Sequence, residues 1–149
     1  MLKYLIYFLI ILLFSCRGEE KTTRSKFYLI NNSGVTVKVA PTIALTDTLV
    51  IQKDQTLEYD LGFERGTTPG FSSAFFLDGF PITLIFENAF QIVHFPDTFQ
   101  HTGKYYPISS NRNLYNRSSY QKTVKDNNKY SRFVTLTYTF TQEDYLFAK

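Results

Sequence analysis

The side chains that could hold a metal ion or move a proton are few, and they lie between residues 94 and 101. The chain has two histidines, His94 and His101, and Asp97 stands between them. Imidazole and carboxylate groups are common zinc ligands, so a strand end followed by a loop could bring these three side chains onto one ion. Alternatively, His94 bonds to backbone at its strand end and His101 is a solvated loop residue. The second interpretation is favoured, and we expect neither a metal ion nor another cofactor.

Other catalytic patterns are missing from the sequence. It contains no Gly-x-Ser-x-Gly motif and no glycine-rich phosphate loop that leads into a helix. A carboxylate pair for glycoside hydrolysis could be drawn from Glu58, Asp60, Glu64 and Glu87, but the first two share one face of a predicted strand, as ordinary solvated carboxylates do. We therefore predict a protein that is not an enzyme. A metal-dependent or glycoside-processing enzyme is the disfavoured alternative.

Cys16, the only cysteine, follows a lysine and an uninterrupted apolar run over residues 4–14. The run is too short for a membrane-spanning helix, which needs about 20 residues. It ends in Ser15, a small residue directly before the cysteine. These features predict a lipoprotein signal peptide over residues 1–15 that is removed, leaving Cys16 as an acylated first residue in a bacterial outer membrane. An uncleaved anchor and a plain signal peptide are the alternatives.

Residues 16–26 contain the lipidated cysteine and a polar stretch with no apolar residue to bury, which predicts a tether. Glu19 and Glu20 resemble the export signal that sends lipoproteins of Bacteroidota to the outer face of the outer membrane. That resemblance implies exposure at the cell surface, and an anchor facing the periplasm is the alternative. Thr48, between Asp47 and Leu49, resembles the site that the same phylum O-glycosylates on exported proteins, which implies a glycan at Thr48.

The composition predicts one compact domain over residues 27–149. No cysteine is left for a disulfide, so apolar packing must stabilise the fold, and the 11 Tyr and 15 Phe supply large side chains for it. The formal net charge of +3 becomes +2 once Lys3 leaves with the signal peptide. That charge is too small for a nucleic-acid-binding protein. The expected partners are the membrane, through the lipid anchor, and an unknown envelope protein or glycan.

From residue 26 onward, apolar and polar residues alternate with a period of two, and turn residues recur about every ten positions. This pattern predicts an all-β fold, an antiparallel β-sandwich-like domain with a short C-terminal helix. Three hairpins are predicted: residues 27–30 with 35–39, residues 48–52 with 56–61, and residues 81–86 with 90–95.

The C-terminal third is predicted as an edge strand over residues 119–125, a final strand over residues 134–140 and a helix. A short helical turn is expected before them, around Leu114 and Tyr115. Thr141 and Asp144 have the spacing of a capping box, which begins a helix. That helix would hold Tyr145, Leu146 and Phe147 against the sheet.

Three segments between residues 82 and 148 resemble uncharacterised small lipoproteins of Bacteroidota. They are the hairpin with Ile85-Phe86-Glu87-Asn88 and Ile92-Val93-His94, the Arg112-Asn113-Leu114 stretch ahead of Tyr120, and the ending from Tyr138 to Tyr145. The resemblance implies a secreted, membrane-tethered β domain. It implies no known activity and no catalytic residues.

Aromatic residues are the candidates for ligand binding. A glycine-rich segment over residues 62–79 breaks the strand pattern and is predicted to be a long loop, and such loops are often functional. It contributes Phe63 and Phe71, and a tyrosine-rich segment contributes Tyr105, Tyr106 and Tyr115. Core packing is the competing role for each. The favoured function is a non-catalytic binding module for a glycan, peptide or protein.

The distribution of charge supports an alternative function. Residues 47–97 hold eight acids and two bases, a net of −6, whereas residues 112–132 hold six bases and one acid, a net of +5. An acidic and a basic side could dock one cognate partner, as in a structural subunit of an envelope complex or an immunity-type protein. The competing interpretation is that the two segments lie side by side and screen each other.

Overall fold

A computed structural model describes residues 22–41, 48–65 and 80–149. At residues 41, 61–65 and 127 it describes the backbone and not the side chains. Nine strands and one α-helix account for most of these residues. The strands are β1 (Thr22–Asn32), β2 (Val37–Pro41), β3 (Leu49–Ile51), β4 (Thr56–Arg65), β5 (Ile82–Phe86), β6 (Phe90–His94), β7 (Tyr105–Tyr106), β8 (Gln121–Asn128) and β9 (Ser131–Thr141). A 3₁₀ helix (Arg117–Ser119) precedes β8, and α1 (Gln142–Ala148) follows β9.

The strands form two sheets. One is four-stranded with the order β4-β1-β9-β8, and the other is five-stranded with the order β3-β2-β5-β6-β7. The predicted all-β, sandwich-like fold with a short C-terminal helix is confirmed. The sheets are mixed, however, and not purely antiparallel. β1 runs parallel to β9 along its whole length, from Thr22 opposite Ser131 to Asn32 opposite Thr141, and β6 runs parallel to β7.

Two of the three predicted hairpins are wrong. β1 belongs to the four-stranded sheet and β2 to the five-stranded sheet, and the same is true of β4 and β3. The turns between them therefore carry the chain from one sheet to the other. Turn residues signal that the chain reverses, but they do not specify which sheet receives the next strand. The β5–β6 hairpin is confirmed, with Phe86 opposite Phe90.

The strand boundaries also differ from the predicted ones. β1 begins at Thr22, so residues 22–26 are strand and not tether. Thr23 and Ser25 are buried on the inner face of β1. They occupy the inward positions that Phe27 and Leu29 occupy farther along the strand. β4 continues to Arg65, so residues 62–65 are strand as well. The rest of the predicted loop, residues 66–79, lies outside the described residues. Leu114 and Tyr115, where a short helical turn is expected, lie in a hydrogen-bonded turn, and the 3₁₀ helix follows at Arg117–Ser119.

The core lies between the two sheets. Burial alternates along β1, β5 and β9, so that every second side chain of these strands faces inward. The largest fully buried side chains are Tyr138, Phe27, Phe86 and Phe140. Each aromatic side chain of this kind removes roughly 150 Å² or more from water. This packing of large rings compensates for the missing disulfide.

Asn31 ties the two sheet-crossing turns together. Its buried amide nitrogen donates hydrogen bonds to the carbonyl oxygens of Val35 (2.8 Å), Ile51 (2.8 Å) and Gln52 (3.0 Å). Its amide oxygen accepts from the backbone N–H and the hydroxyl of Ser33, at 3.1 and 2.6 Å. One buried side chain therefore joins backbone groups from both crossings. The carbonyl oxygens of Val35 and Gln52 also accept from the Ser33 hydroxyl and the Gln55 N–H.

We expect Asn31→Ala to lower the free energy of unfolding by roughly 2–4 kcal/mol, because it removes all the hydrogen bonds of a buried amide that joins the two crossings. Urea unfolding measures this loss. The control is Asn32→Ala at the neighbouring exposed position, which should change stability by no more than about 0.5 kcal/mol. Equal effects of the two substitutions would contradict the assigned role.

Candidate functional site

His94 is fully buried and does not face a ligand site. Its Nδ1 accepts a hydrogen bond from the backbone N–H of Leu114 at 2.9 Å, and its ring packs edge-to-face against Tyr106. Burial, with a smaller contribution from the charge of Arg112, lowers the pKa of His94 from 6.5 to about 3. The ring is therefore neutral with its proton on Nε2, which has no hydrogen-bond partner among the residues that the structure describes.

Asp97 and His101 form a separate pair at the surface. His101 Nε2 lies 2.8 Å from Asp97 Oδ1, and the His101 ring stacks on Phe95 with 3.4 Å between the ring centroids. The hydrogen bond from His101 lowers the pKa of Asp97. No group of three metal-ligating side chains occurs in the part of the chain that the structure describes. The predicted site of His94, Asp97 and His101 is not formed, because β6 turns His94 toward the core while the other two lie in the following loop.

The candidate carboxylates of a glycosidase are tied up in surface contacts. Glu58 accepts a hydrogen bond from Lys26, and Asp60 accepts one from Arg24. The hydrogen bond from Lys26 lowers the pKa of Glu58. Glu87 accepts a hydrogen bond from the Tyr145 hydroxyl at 2.6 Å. The side chain of Glu64 is outside the described atoms.

The most extensive polar cluster surrounds Asp144 at the start of α1. Its carboxylate is fully buried. Arg112 donates to both carboxylate oxygens, with 3.0 Å between Nε and Oδ1. The Tyr106 hydroxyl donates to Oδ1 at 3.0 Å, and the backbone N–H of Thr141 donates to Oδ2 at 2.8 Å. The predicted capping box of Thr141 and Asp144 is confirmed. Each carboxylate oxygen thus accepts two or more hydrogen bonds, which is typical of a structural anion and not of a reacting one.

Arg112 extends this cluster to β9. It donates a further hydrogen bond to the carbonyl oxygen of Thr139 at 2.8 Å, and its own carbonyl oxygen accepts from the Tyr138 hydroxyl at 2.7 Å. The guanidinium also lies over the Tyr138 ring. The cluster therefore joins β7, the segment before the 3₁₀ helix, β9 and α1. The sequence indicated Asp144 through the capping box, but no local pattern indicated its partner Arg112.

The tyrosines predicted to bind a ligand serve mainly inside the fold. The Tyr115 hydroxyl donates a hydrogen bond to the carbonyl oxygen of Phe80, and the Tyr106 hydroxyl donates one to the Asp144 carboxylate. Tyr105 packs against Phe95 and His101. The pKa of Tyr106 is raised, mainly by burial and also by the neighbouring charge of Asp144. These residues do not form one exposed aromatic surface.

Several predicted sites fall outside the described residues. They are the lipidation site Cys16, the export residues Glu19 and Glu20, and Phe71; Phe63 is described only as backbone of β4. Thr48 is exposed directly before β3. No helix among residues 22–41, 48–65 and 80–149 is long and apolar enough to cross a membrane.

Two large apolar side chains of α1 face solvent. Leu146 is 60% exposed and Phe147 is 44% exposed, so the prediction that they pack on the sheet is wrong for Leu146 and only partly right for Phe147. Phe147 stacks on the Tyr106 ring with 5.0 Å between centroids. Tyr145 and Ala148 take the inner positions, where Tyr145 contacts Phe86 and Phe90. We call Leu146 and Phe147 the helix face.

The helix face is far from the N-terminal end of the domain. β1 and β9 are parallel, so α1 begins beside Asn32 while Thr22 lies at the other end of the eleven-residue strand. At about 3.3 Å per residue, the two ends are roughly 33 Å apart. Thr22 and the start of α1 therefore lie at opposite ends of this strand pair.

The charged segments lie at opposite edges of the four-stranded sheet. Glu58 and Asp60 are on β4, whereas Lys122 and Lys125 are on β8, with β1 and β9 between them. The acidic edge is neutralised by Arg24 and Lys26 of β1. The acidic and basic segments therefore do not screen each other at these positions. The acidic side chains of β4 are instead paired with the basic side chains of β1.

No family model and no curated protein matches the chain. Among solved structures, the chain is similar to an NMR structure of a protein from Eubacterium rectale, at 13% identity over 80% of this chain and 89% of that one. The TM-score of 0.25 is too low for that structure to support an argument about fold or function. The function must be inferred from the residues themselves.

Burial of neutral His94 should make stability depend on pH. Because its pKa falls to about 3 on folding, the unfolded chain binds the extra proton between pH 3 and pH 6.5, and stability is lost as the pH falls through that range. His94→Asn keeps an acceptor for the Leu114 N–H but does not titrate. Between about pH 7.5 and about pH 5, we expect the wild type to lose about 2 kcal/mol more unfolding free energy than the variant.

Urea unfolding of both proteins at the two pH values provides the measurement. The lowered pKa of Asp97 acts in the same direction, but it is common to both proteins and cancels in the difference. If the two stabilities fall in parallel, His94 does not carry the pH dependence.

Proposed function

We propose that the protein is a non-catalytic binding module, tethered by lipid at Cys16 to a bacterial outer membrane, which binds a partner protein through the helix face. The observation that carries this proposal is the exposure of two adjacent large apolar side chains on a helix that a buried ion pair holds in place. Exposed Leu and Phe side chains lower the solubility of a protein. A pair of them held in place at the surface therefore favours a role in binding another molecule.

Rigidity makes the helix face a good binding surface. The capping box begins α1 at a fixed point, and Arg112 and Tyr106 hold Asp144 from two other segments. The side chain of Phe147 is further restrained by its stack on Tyr106. A side chain that is already ordered loses little conformational entropy on binding, so more of the contact energy contributes to affinity.

The chemistry of the helix face favours a protein over a glycan. Sugars stack on free aromatic faces, but one face of the Phe147 ring already contacts Tyr106. Its neighbour Leu146 is aliphatic. Apolar anchors of this kind insert into complementary pockets at the centre of protein interfaces. Docking through opposite charges is less supported, because Glu58 and Asp60 already pair with Lys26 and Arg24.

The lipid anchor is tested by Cys16→Ser in the native host. Acylation requires the thiol, so the variant should incorporate no labelled palmitate and should keep the mass of the unprocessed chain. Ser15→Ala retains a small residue before the cysteine, and it should be labelled and processed like the wild type. Labelling of Cys16→Ser would end the lipoprotein assignment.

The binding role is tested by the double substitution Leu146→Ser with Phe147→Ser in the full-length protein. After mild detergent solubilisation of host envelopes, we expect a protein recovered stoichiometrically with the wild type to be depleted by about tenfold or more with the variant, since losing two apolar anchors costs at least about 1.4 kcal/mol. The ratio of partner to bait, measured by mass spectrometry, gives the result.

The matched control is Phe99→Ser, because Phe99 is 73% exposed in the loop after β6 and outside the helix face. Thermal unfolding confirms that all variants are folded. An unchanged ratio in the double variant, or an equal loss with Phe99→Ser, would rule out the helix face. If the wild type is recovered without a protein partner but is retained on envelope glycans, the ligand is a glycan and not a protein.

A further inference from the structure

β8 is an open edge of the four-stranded sheet. It is eight residues long, and all of residues 121–126 are exposed. Among residues 22–41, 48–65 and 80–149 it pairs only with β9. The edge strands of the five-stranded sheet, β3 and β7, have only three and two residues. A long open edge presents backbone N–H and C=O groups to which another strand can bind.

The register of β8 shows which of its side chains lie on the core-facing side. Lys122, Val124 and Asp126 stand opposite Leu136, Val134 and Arg132 of β9. Directly opposed residues share one face of a sheet, and Val134 and Leu136 are buried in the core. Val124 is nonetheless 47% exposed. The apolar layer of the sandwich therefore ends at β8 with an uncovered valine.

We infer that β8 pairs with β8 of a second copy of this chain, antiparallel, about a two-fold axis through Val124. In this register Val124 lies against its own symmetry mate on the core-facing side. Lys122 of each copy lies opposite Asp126 of the other, which gives two cross-strand ion pairs. Each Asp126 then faces two cations, because it already pairs with Arg132 of its own chain. The core layer then continues across the axis, and both exposed edges are removed at once.

Charge disfavours two of the neighbouring registers. A shift of one residue places Lys122 opposite Lys125, and an axis through Lys125 places that lysine opposite itself. Both arrangements oppose like charges and are disfavoured. In the proposed register Lys125 lies on the outer face opposite Thr123, where it meets no charge directly. The interface is small, so the dimer is reversible and depends on concentration.

The other long edge does not pair with itself in this way. On β4, an axis through Tyr59 would place Glu58 opposite Asp60, which opposes like charges. Pairing of β4 with β8 of another copy would be head-to-tail and would produce a larger ring or an open filament, whereas pairing of β8 with β8 closes after two copies. The axis is perpendicular to the sheet, so two tethered copies lie with their strands parallel to the membrane.

The register is tested by Val124→Cys in the full chain, solubilised in mild detergent and oxidised with glutathione disulfide. Directly opposed residues have Cα atoms about 4.5–5.5 Å apart, within the range that a disulfide spans. We expect a covalent dimer with Val124→Cys. We expect none with Thr123→Cys, because residue 123 of one copy lies opposite residue 125 of the other. The wild type controls for the thiol of Cys16.

A second measurement keeps the inference falsifiable if cysteine disturbs the edge. In analytical ultracentrifugation, Lys122→Glu should raise the dimer dissociation constant by about tenfold or more, because it turns both ion pairs into repulsions. Lys125→Glu makes the same change of charge on the outer face and should leave dimerisation unweakened. Monomers at every concentration, equal effects of the two substitutions, or equal cross-linking at 123 and 124 would overturn the proposed dimer.

Discussion

The buried carboxylate of Asp144 is the interaction on which the C-terminal half of the structure depends. An ionised carboxylate in the interior costs several kcal/mol unless hydrogen bonds and an opposite charge compensate it. Here the compensation comes from Arg112, Tyr106 and Thr141, which belong to three different segments. The three segments must therefore come together before the charge can be buried. This requirement fixes where α1 lies, and with it the direction in which Leu146 and Phe147 face.

Patterns that repeat within one element were predictable from the sequence. The alternation in β9, the β5–β6 hairpin and the capping box of Thr141 and Asp144 all rest on neighbours along the chain. The parallel pairing of β1 with β9 and the ion pair of Arg112 with Asp144 join residues far apart in sequence. A single sequence contains no local signal for such contacts, so its turn residues predict hairpins after β1 and β3, where the chain crosses between the sheets.

The helix face could have been found from helical geometry. Four consecutive apolar residues, 145–148, follow the capping box. With 3.6 residues per turn they cannot all face one sheet, so about half must be exposed. Which half is exposed depends on the rotation of α1, and that is set by the partners of Asp144. The alternative metal site is not formed for a related reason, since alternation along β6 places His94 on the inner face of the strand.

The parallel pairing of β1 with β9 has a mechanical consequence. The chain enters the domain at Thr22 and reaches α1 beyond Thr141, at opposite ends of the same strand pair. A force between the two termini pulls β1 and β9 in opposite directions along their common axis. The hydrogen bonds between them are then loaded in shear and must break together, whereas a hairpin pulled from its open end unzips one pair at a time. The domain is thus built to resist extension between its two termini.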